Sequence, residues 1–350
     1  MIEIYGEATT LAIIGLFGGL LLGLAARFGR FCTLGALEDL LYGGSDKRMR
    51  MWGLSIGLSI IGVFGLAELG LFRPESSAYL STQFNVIASI IGGLMFGYGM
   101  ALCGNCGYGA LARLGGGDLR SFVIVLVMGV SAYAVMSGPL APLRVFLFPQ
   151  DVPSEAPNGV AHILAYVIPL SANSIGLVIG AILIIMMCAD TEFRKDPKAI
   201  IWSAIVAAAI ISGWLGTYWV AETGFEARAI ESHTFSAPVG DTLIYTMIGS
   251  AMTLSFAIGS VVGVLTGAFI GSLIKGHFRW EACEDPRELR RQIIGASVMG
   301  VGAVIAMGCS VGQGISAFST LAYSAPVTFL AIFAGAWFGL KQLIEGFQPS

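Results

Sequence analysis

Two stretches of this chain place a cysteine inside the same glycine pattern. The first reads IGGLMFGYGMALCGNCGYG (91–109), and the second reads IGASVMGVGAVIAMGCSVGQG (294–314). The matched pairs, all at one offset, are Gly92 with Gly295, Gly97 with Gly300, Gly99 with Gly302, Cys106 with Cys309, and Gly109 with Gly312. A single cysteine is common as a small core residue. Two cysteines at matched positions of an internal repeat indicate instead a shared chemical role.

The chemistry of a buried thiol narrows what this role could be. A neutral thiol is a weak S–H donor and a soft, polarisable acceptor. An ionised thiolate would be costly in an apolar, membrane-embedded site. Neutral thiols at Cys106 and Cys309 therefore suit a soft anion that must bind weakly and move on. Thiosulfate, sulfide and related sulfur or selenium anions fit this description.

Two further cysteines lie near the repeat or resemble it in context. Cys32, in RFGRFCTLG, has no obvious counterpart in the second half, and the neighbouring Arg27 and Arg30 could supply positive potential. Cys103 forms C-G-N-C with Cys106, a spacing typical of a redox pair or half a metal site. The second repeat has alanine at the position of Cys103, and the three histidines are scattered. We therefore expect the single cysteine to be the repeated element, with no metal and no cofactor.

Polar and small residues beside the repeated cysteines are candidates for supporting roles. They are Cys103, Asn105, Gly107, Tyr108, Ser310 and Gln313. Their polar groups could hydrogen-bond the oxygen atoms of an anion. They could equally satisfy backbone groups that are left unpaired where a helix breaks inside the membrane.

The composition places these residues in a membrane. Of the 350 residues, 56% are hydrophobic and 12% are charged, whereas soluble proteins carry about 25% charged residues. The 48 glycines favour close helix packing in a bilayer. No basic block indicates nucleic acid binding. The N-terminal MIEIYGE lacks the basic residues of a signal peptide, so we expect the first span to be retained.

Uncharged stretches long enough to cross a bilayer predict about nine transmembrane helices. They lie near 8–26, 51–72, 84–102, 121–138, 160–187, 199–220, 245–274, 292–308 and 325–341. Lysine and arginine concentrate in loops 27–50, 190–198 and 275–291. The positive-inside rule makes these loops cytoplasmic, with the N-terminus outside and the C-terminus in the cytoplasm of a bacterial inner membrane protein.

The order of the spans then orients the two repeats. The span before Cys106 is the third and the span before Cys309 is the eighth, so they cross in opposite directions. We predict one transporter domain over 1–350, built from inverted pseudo-symmetric halves. Half 1 covers about 1–140, a linker span covers about 160–187, and half 2 covers about 199–350. Inverted repeats place substrate sites near the midplane, at broken helices.

The segments that follow the repeated cysteines are too short and glycine-rich to span. These segments, 107–120 and 310–326, predict short re-entrant half-helices, with each cysteine at an N-terminus that attracts anions. Glycine stripes also recur in spans 1 and 7, which run in the same direction. Gly15, Gly19 and Gly23 resemble Gly263, Gly267 and Gly271. We interpret both stripes as helix-packing surfaces rather than symmetry mates.

Three cysteine motifs together resemble the YeeE/YedE family of bacterial sulfur-compound transporters. They are GRFCTLG, the glycine-rich GNCGYG stretch and MGCSVGQG, and the similarity covers essentially the whole chain. The resemblance implies a non-enzymatic inner-membrane transporter with re-entrant helices that meet at a constricted centre. It further implies uptake of thiosulfate, which Cys32, Cys106 and Cys309 would pass along by S–H hydrogen bonds.

The same cysteines are also compatible with functions other than transport by non-covalent contacts. A membrane thiol oxidoreductase would use Cys103 and Cys106 as a disulfide pair. A persulfide relay would hand sulfur from one of these cysteines to a cytosolic sulfur-carrier protein. If the protein is a transporter, a selenium compound or sulfite is an alternative substrate.

Overall fold

The computed structural model describes residues 5–149, 154, 156–282 and 285–346. Within these ranges the chain is helical, and β-pairing is limited to two isolated bridges. The helices are α1 Glu7–Phe28, α2 Thr33–Leu41, α3 Lys47–Glu68, α4 Val86–Cys103, α5 Gly107–Gly115, α6 Leu119–Met136, α7 Ala141–Leu147, α8 Val160–Val167, α9 Ala172–Met187, α10 Pro197–Thr223, α11 Ala237–Ile248, α12 Phe256–Ile274, α13 Pro286–Ile305 and α14 Ser324–Glu345. Single helical turns cover Pro74–Ser76, Ala78–Ser81 and Thr191–Arg194, and a π-helical segment covers Gly312–Ala317.

The expectation of an all-α polytopic membrane protein is confirmed. In the described residues, 7 helical stretches are long and apolar enough to cross a membrane, and a bent pair of helices makes 8. Helix α13 corresponds to a further predicted span. Its first turns carry the charged residues Arg287, Glu288, Arg290 and Arg291, which lower its apolar character.

The predicted span 160–187 is not one helix. It consists of α8 and α9, which meet at an angle of 116°. Pro169 lies at the bend, and a proline cannot donate the backbone hydrogen bond that would continue a helix. Ser171 then caps α9 by accepting from the Ser174 backbone N–H at 3.1 Å.

The bounds of two other predicted spans were also wrong. Residues 245–274 are divided between α11 and α12, because a non-helical stretch ends at Ser255, which caps α12. The span predicted at 292–308 begins earlier, at Pro286, where Asp285 accepts from the Arg287 backbone N–H at 2.8 Å. Part of the predicted basic loop is therefore the first turn of a helix.

The two repeated helices, α4 and α13, pack against each other and run antiparallel. A Cβ on Gly92 would lie 2.7 Å from the Gly302 carbonyl oxygen, and one on Gly99 would lie 2.5 Å from the Gly295 carbonyl oxygen. Gly92 thus contacts Gly302, which is the repeat counterpart of Gly99, and Gly99 contacts Gly295, which is the repeat counterpart of Gly92. A local two-fold axis produces such reciprocal contacts, and the missing side chains allow the backbones to approach closely.

The glycine stripes of α1 and α12 pack on each other as well. A Cβ on Gly15 would lie 2.9 Å from the Ser260 backbone nitrogen, and one on Gly23 would lie 2.7 Å from that of Ala268. Residue numbers increase in the same direction along both helices from one contact to the next, so α1 and α12 are parallel. This confirms that the stripes are packing surfaces and that the two helices cross in the same direction.

The basic loops lie together on one side of the protein, called the basic face. Lys47 forms an ion pair with Asp196, and Lys275 Nζ donates to the Arg27 carbonyl oxygen at 2.6 Å. These contacts join three loops that are far apart in the sequence. Lysine and arginine are therefore concentrated at one end of the helix bundle.

The other end of the bundle, called the opposite face, has a different set of contacts. His162 Nε2 and Glu75 Oε1 are hydrogen-bonded at 2.8 Å, and this contact lowers the pKa of the Glu75 carboxyl. Helix α1 begins at this face, where Glu7 Oε1 accepts from the Phe225 backbone N–H at 2.6 Å. Helix α14 runs parallel to α4 and ends at the basic face.

Candidate functional site

The three candidate cysteines follow helix breaks of one design. A residue with a left-handed backbone lies two positions before each cysteine, and a helical segment begins directly after it. The left-handed residues are Arg30 at φ 52°, Gly104 at φ 71° and Met307 at φ 55°. A non-glycine residue in this conformation costs about 1–3 kcal/mol and is most often found at functional sites. Cys32, which has no counterpart in the sequence repeat, therefore shares the local architecture of the other two.

The two repeated cysteines cap their helical segments in the same way. Cys106 Sγ accepts from the Gly109 backbone N–H at 3.4 Å, and Cys309 Sγ accepts from that of Gly312, also at 3.4 Å. The matched sequence positions thus have matched geometry. The free N–H groups of a helix N-terminus favour negative charge, so both thiols lie where an anion is stabilised.

The structure brings all three predicted cysteines into one group. A Cβ on Gly109 would lie 3.8 Å from Cys32 Sγ and 3.7 Å from Cys106 Sγ. The Ser310 hydroxyl, next to Cys309 in the chain, lies beside the Cys106 thiol. Cys106 and Cys309 are fully buried, while Cys32 is half-buried. Cys106 therefore adjoins Cys32 on one side of the group and Ser310, the neighbour of Cys309, on the other.

A cavity approaches this group from each face. The cavity on the basic face has a volume of about 360 Å³ and includes Cys32 and Gly109 in its wall. Its charged lining comprises Arg27, Arg30, Glu38, Arg48 and Arg113. The cavity on the opposite face has a volume of about 260 Å³, and its lining includes Arg144, Thr234, Ser236 and Gly308. Gly308 directly precedes Cys309 in the chain.

The arginines of the basic-face cavity are held in place by neighbouring groups. Arg27 Nε donates to Ser272 Oγ at 2.5 Å, and Arg113 Nη2 donates to the Gly104 carbonyl oxygen at 3.2 Å. Four guanidinium groups face one carboxylate in this cavity. A cleft lined mainly by one sign of charge raises the local concentration of the opposite ion, so this cavity attracts anions.

Three predicted supporting residues carry buried oxygen atoms that lack a hydrogen-bond partner within the described residues. These are Asn105 Oδ1, Ser310 Oγ and Gln313 Oε1. Gln313 Nε2 donates to the Ala306 carbonyl oxygen at 2.8 Å, so this side chain also satisfies backbone at the break. These oxygen atoms are therefore available to hydrogen-bond a water or an ion at the centre of the protein.

Tyr108 and Gly107 contribute packing at the centre. Tyr108 Oη donates to the Leu22 carbonyl oxygen at 2.6 Å, which ties α5 to α1 instead of presenting the hydroxyl to an ion. A Cβ on Gly107 would lie 2.8 Å from Met128 Sδ and 3.2 Å from the Phe235 carbonyl oxygen. Only glycine fits there without displacing its neighbours.

Cys103 does not share the site of Cys106. Its thiol is buried between α4 and α13 and donates to the Gln292 carbonyl oxygen at 3.2 Å. Both cysteines are free thiols. Cys188 is half-buried at the end of α9, and Cys283 lies outside the described residues. Although Cys103 and Cys106 have C-x-x-C spacing, their thiols have different partners and form no disulfide in this structure.

Sequence reasoning missed two polar residues beside Cys309. Thr234 Oγ1 lies 3.4 Å from Cys309 Sγ, and the Tyr79 hydroxyl would lie 3.2 Å from a Cβ on Gly312. Both residues belong to segments that the sequence showed only as loops between spans. A non-helical segment has no periodicity from which its inward fold could be predicted.

A polytopic helical bundle with cavities approaching buried thiols from opposite faces has the architecture of a membrane transporter. The family model described as Sulphur transport matches residues 28–338, and this chain belongs to that family. The resemblance carried by the three cysteine motifs is thus confirmed.

Two relatives align with nearly the whole chain. Thiosulfate transporter TsuA of Spirochaeta thermophila is 26% identical over 331 residues, which cover 92% of this chain and 96% of that protein. Thiosulfate transporter TsuA of Escherichia coli is 24% identical over 350 residues, which cover 94% of this chain and 93% of that protein. The similarity therefore includes both halves of the repeat.

Proposed function

We propose that this chain transports thiosulfate across the membrane, with Cys309, Cys106 and Cys32 as successive contacts for the ion. The observation that carries the proposal is the position of these thiols between two cavities on opposite faces. The two relatives named as thiosulfate transporters support the choice of substrate. The chain acts in this account as a transporter and carries out no chemical conversion of the ion.

The thiols suit this task because they bind an anion weakly. A neutral S–H group donates a poor hydrogen bond, so an ion can be released as readily as it is held. The half-helix N-termini add positive potential at Cys106 and Cys309 without a full charge. Conduction needs binding that is favourable but weak and spread over several sites, and three neutral thiols in series supply it.

The charges of the two faces indicate how the protein is oriented in the membrane. We infer that the basic face is cytoplasmic, as the positive-inside rule requires, in a bacterial inner membrane. The N-terminus then lies outside and the C-terminus inside. The reciprocal α4–α13 contacts support inverted halves over about 1–140 and 199–350, joined by the bent pair near 160–187. Thiosulfate would enter through the smaller cavity and leave through the arginine-lined one.

We further infer that a cytosolic sulfur-carrier protein receives the ion at the basic face. A second cavity of about 440 Å³ adjoins the first one there, and both include Arg30 and Arg48. Lys47 and Lys198 also line it, together with Asp39 and Asp196. Four cationic side chains thus outnumber two carboxylates, and this excess of positive charge would complement an acidic partner. Uptake at the full cellular rate in cells that lack every such carrier would contradict this inference.

Transport itself is tested with the purified chain in proteoliposomes. We expect uptake of radiolabelled thiosulfate well above that of empty liposomes, with strong competition by unlabelled thiosulfate. Sulfite, sulfate and selenite, added separately as competitors, would define the substrate range. Uptake no greater than in empty liposomes, by protein shown to be folded, would contradict the proposed function.

A further inference from the structure

The partner of each repeated cysteine differs between the two halves. Thr234 lies 75 residues before Cys309, and Cys32 precedes Cys106 by almost the same interval. Gly109 donates its backbone N–H to Cys106 Sγ, and Cys32 Sγ lies 3.8 Å from the Cβ position of Gly109. In the second half, Thr234 Oγ1 lies 2.6 Å from the Cβ position of the matched glycine, Gly312. Thr234 is displaced by one residue from the repeat offset, and it therefore lies beside Cys309 much as Cys32 lies beside Cys106.

A second hydroxyl faces the same space. Ser236 is 2% exposed, and its Oγ has no hydrogen-bond partner within the described residues. It lines the cavity of about 260 Å³ together with Thr234 and Arg144. Cys309 Sγ lies at the edge of this group, 3.4 Å from Thr234 Oγ1. Hydroxyl and thiol groups thus converge at this end of the path, whereas the basic-face end pairs two thiols.

We propose that Thr234, Ser236 and Cys309 form a specificity site that recognises both ends of thiosulfate before it reaches Cys106. This inference rests on the proposed function and deepens it. Thiosulfate has hard, charged oxygen atoms at one end and a soft terminal sulfur at the other. The two hydroxyl groups donate to the oxygens, since hydroxyl bonds to an anionic oxygen are short and strong. The Cys309 thiol contacts the terminal sulfur.

This arrangement explains how the path distinguishes thiosulfate from simpler anions. Sulfate offers only oxygen atoms, and hydrosulfide offers only sulfur. Each satisfies half of the site and leaves the remaining buried groups unpaired. A site built from hydrogen-bonding groups rejects strongly a ligand that leaves those groups unpaired.

The test measures thiosulfate uptake into proteoliposomes by the full chain and by T234V, T234S and T234C. T234V keeps the shape of the side chain but removes the hydroxyl, so KM should rise about tenfold with a smaller change in maximal rate. T234S should stay within about twofold of wild type, because it keeps the hydroxyl. T234C should make hydrosulfide a better competitor and sulfate a poorer one.

Two further variants separate the possible outcomes. T266V removes a hydroxyl on α12 that donates to the Val262 carbonyl oxygen at 2.8 Å, away from the cavities, and should leave KM unchanged. A wild-type KM and competitor profile in T234V would overturn the specificity site. C309A measured alongside distinguishes this result from failure of the path: normal uptake by C309A contradicts the path itself. If T234V folds poorly, the test uses T234C instead: an unchanged order of competition by hydrosulfide and sulfate would overturn the specificity site.

Discussion

Replacing Gly109 by alanine places a methyl group beside the thiols of both Cys32 and Cys106. The new Cβ would lie 3.8 and 3.7 Å from the two sulfur atoms and 3.3 Å from Asn105 Cβ. The first two distances are ordinary van der Waals contacts, and the third requires a shift of a few tenths of an ångström. Gly109 and Cys32 are both in the wall of the basic-face cavity, so an ion that moves between this cavity and Cys106 would meet this methyl group.

The magnitude follows from the contacts that the methyl group excludes. A hydrogen bond to a charged group contributes about 1.5–3 kcal/mol, and about 1.4 kcal/mol corresponds to a factor of ten. Loss of one thiol contact should therefore slow uptake about tenfold to a hundredfold. Stability should hardly change, because alanine is favoured over glycine within a helix by about 0.5–1 kcal/mol. That gain offsets the close contact with Asn105.

The assay compares two glycine-to-alanine variants. Beyond its own helical turn, Gly65 in α3 has no atom of the described residues within 4 Å of its Cβ position, so Gly65→Ala is a matched control. Both proteins are reconstituted in equal amounts for radiolabelled thiosulfate uptake, and their thermal unfolding is followed in detergent. Equal uptake by Gly109→Ala and Gly65→Ala, with both proteins equally stable, refutes the passage of the ion between these thiols.

Two other variants test the surroundings of the path. Cys103→Ala should keep uptake within about twofold of wild type, because the Cys103 thiol donates to the Gln292 carbonyl oxygen and lines neither cavity. A loss of uptake as severe as that of Cys106→Ala would instead support a redox pair of Cys103 and Cys106. Gly99→Ala should lower stability by about 1–3 kcal/mol or more, since its Cβ would lie 2.5 Å from the Gly295 carbonyl oxygen. Thermal unfolding in detergent measures this, and an unchanged midpoint would contradict the close α4–α13 packing.

The centre of the site could be predicted because it is encoded twice. Cys106 and Cys309 recur at one offset with their capping glycines, and this local pattern gave the same capping geometry at both positions. The relative direction of α4 and α13 was also predictable, because it depends only on counting spans between charged loops. Both predictions use information that lies within short, regular stretches of sequence.

Residues outside regular helices were much harder to predict. Thr234 approaches Cys309 because the segment between α10 and α11 folds inward, and no periodic pattern marks such a turn. The bend at Pro169 was missed because hydropathy alone shows one continuous apolar stretch. The break between α11 and α12 was missed for the same reason. The position of Thr234 depends on packing between distant segments, whereas Pro169 is a local signal that hydropathy alone does not include.

The role of the cysteines is tested most directly by replacing each one in turn. Cys106→Ala and Cys309→Ala should each reduce thiosulfate uptake into proteoliposomes at least tenfold, since each removes one contact from a series that the ion must follow. Cys188→Ala, at the end of α9, is the matched control and should transport like wild type. Wild-type uptake by both Cys106→Ala and Cys309→Ala, in protein of normal stability, would contradict the cysteine path.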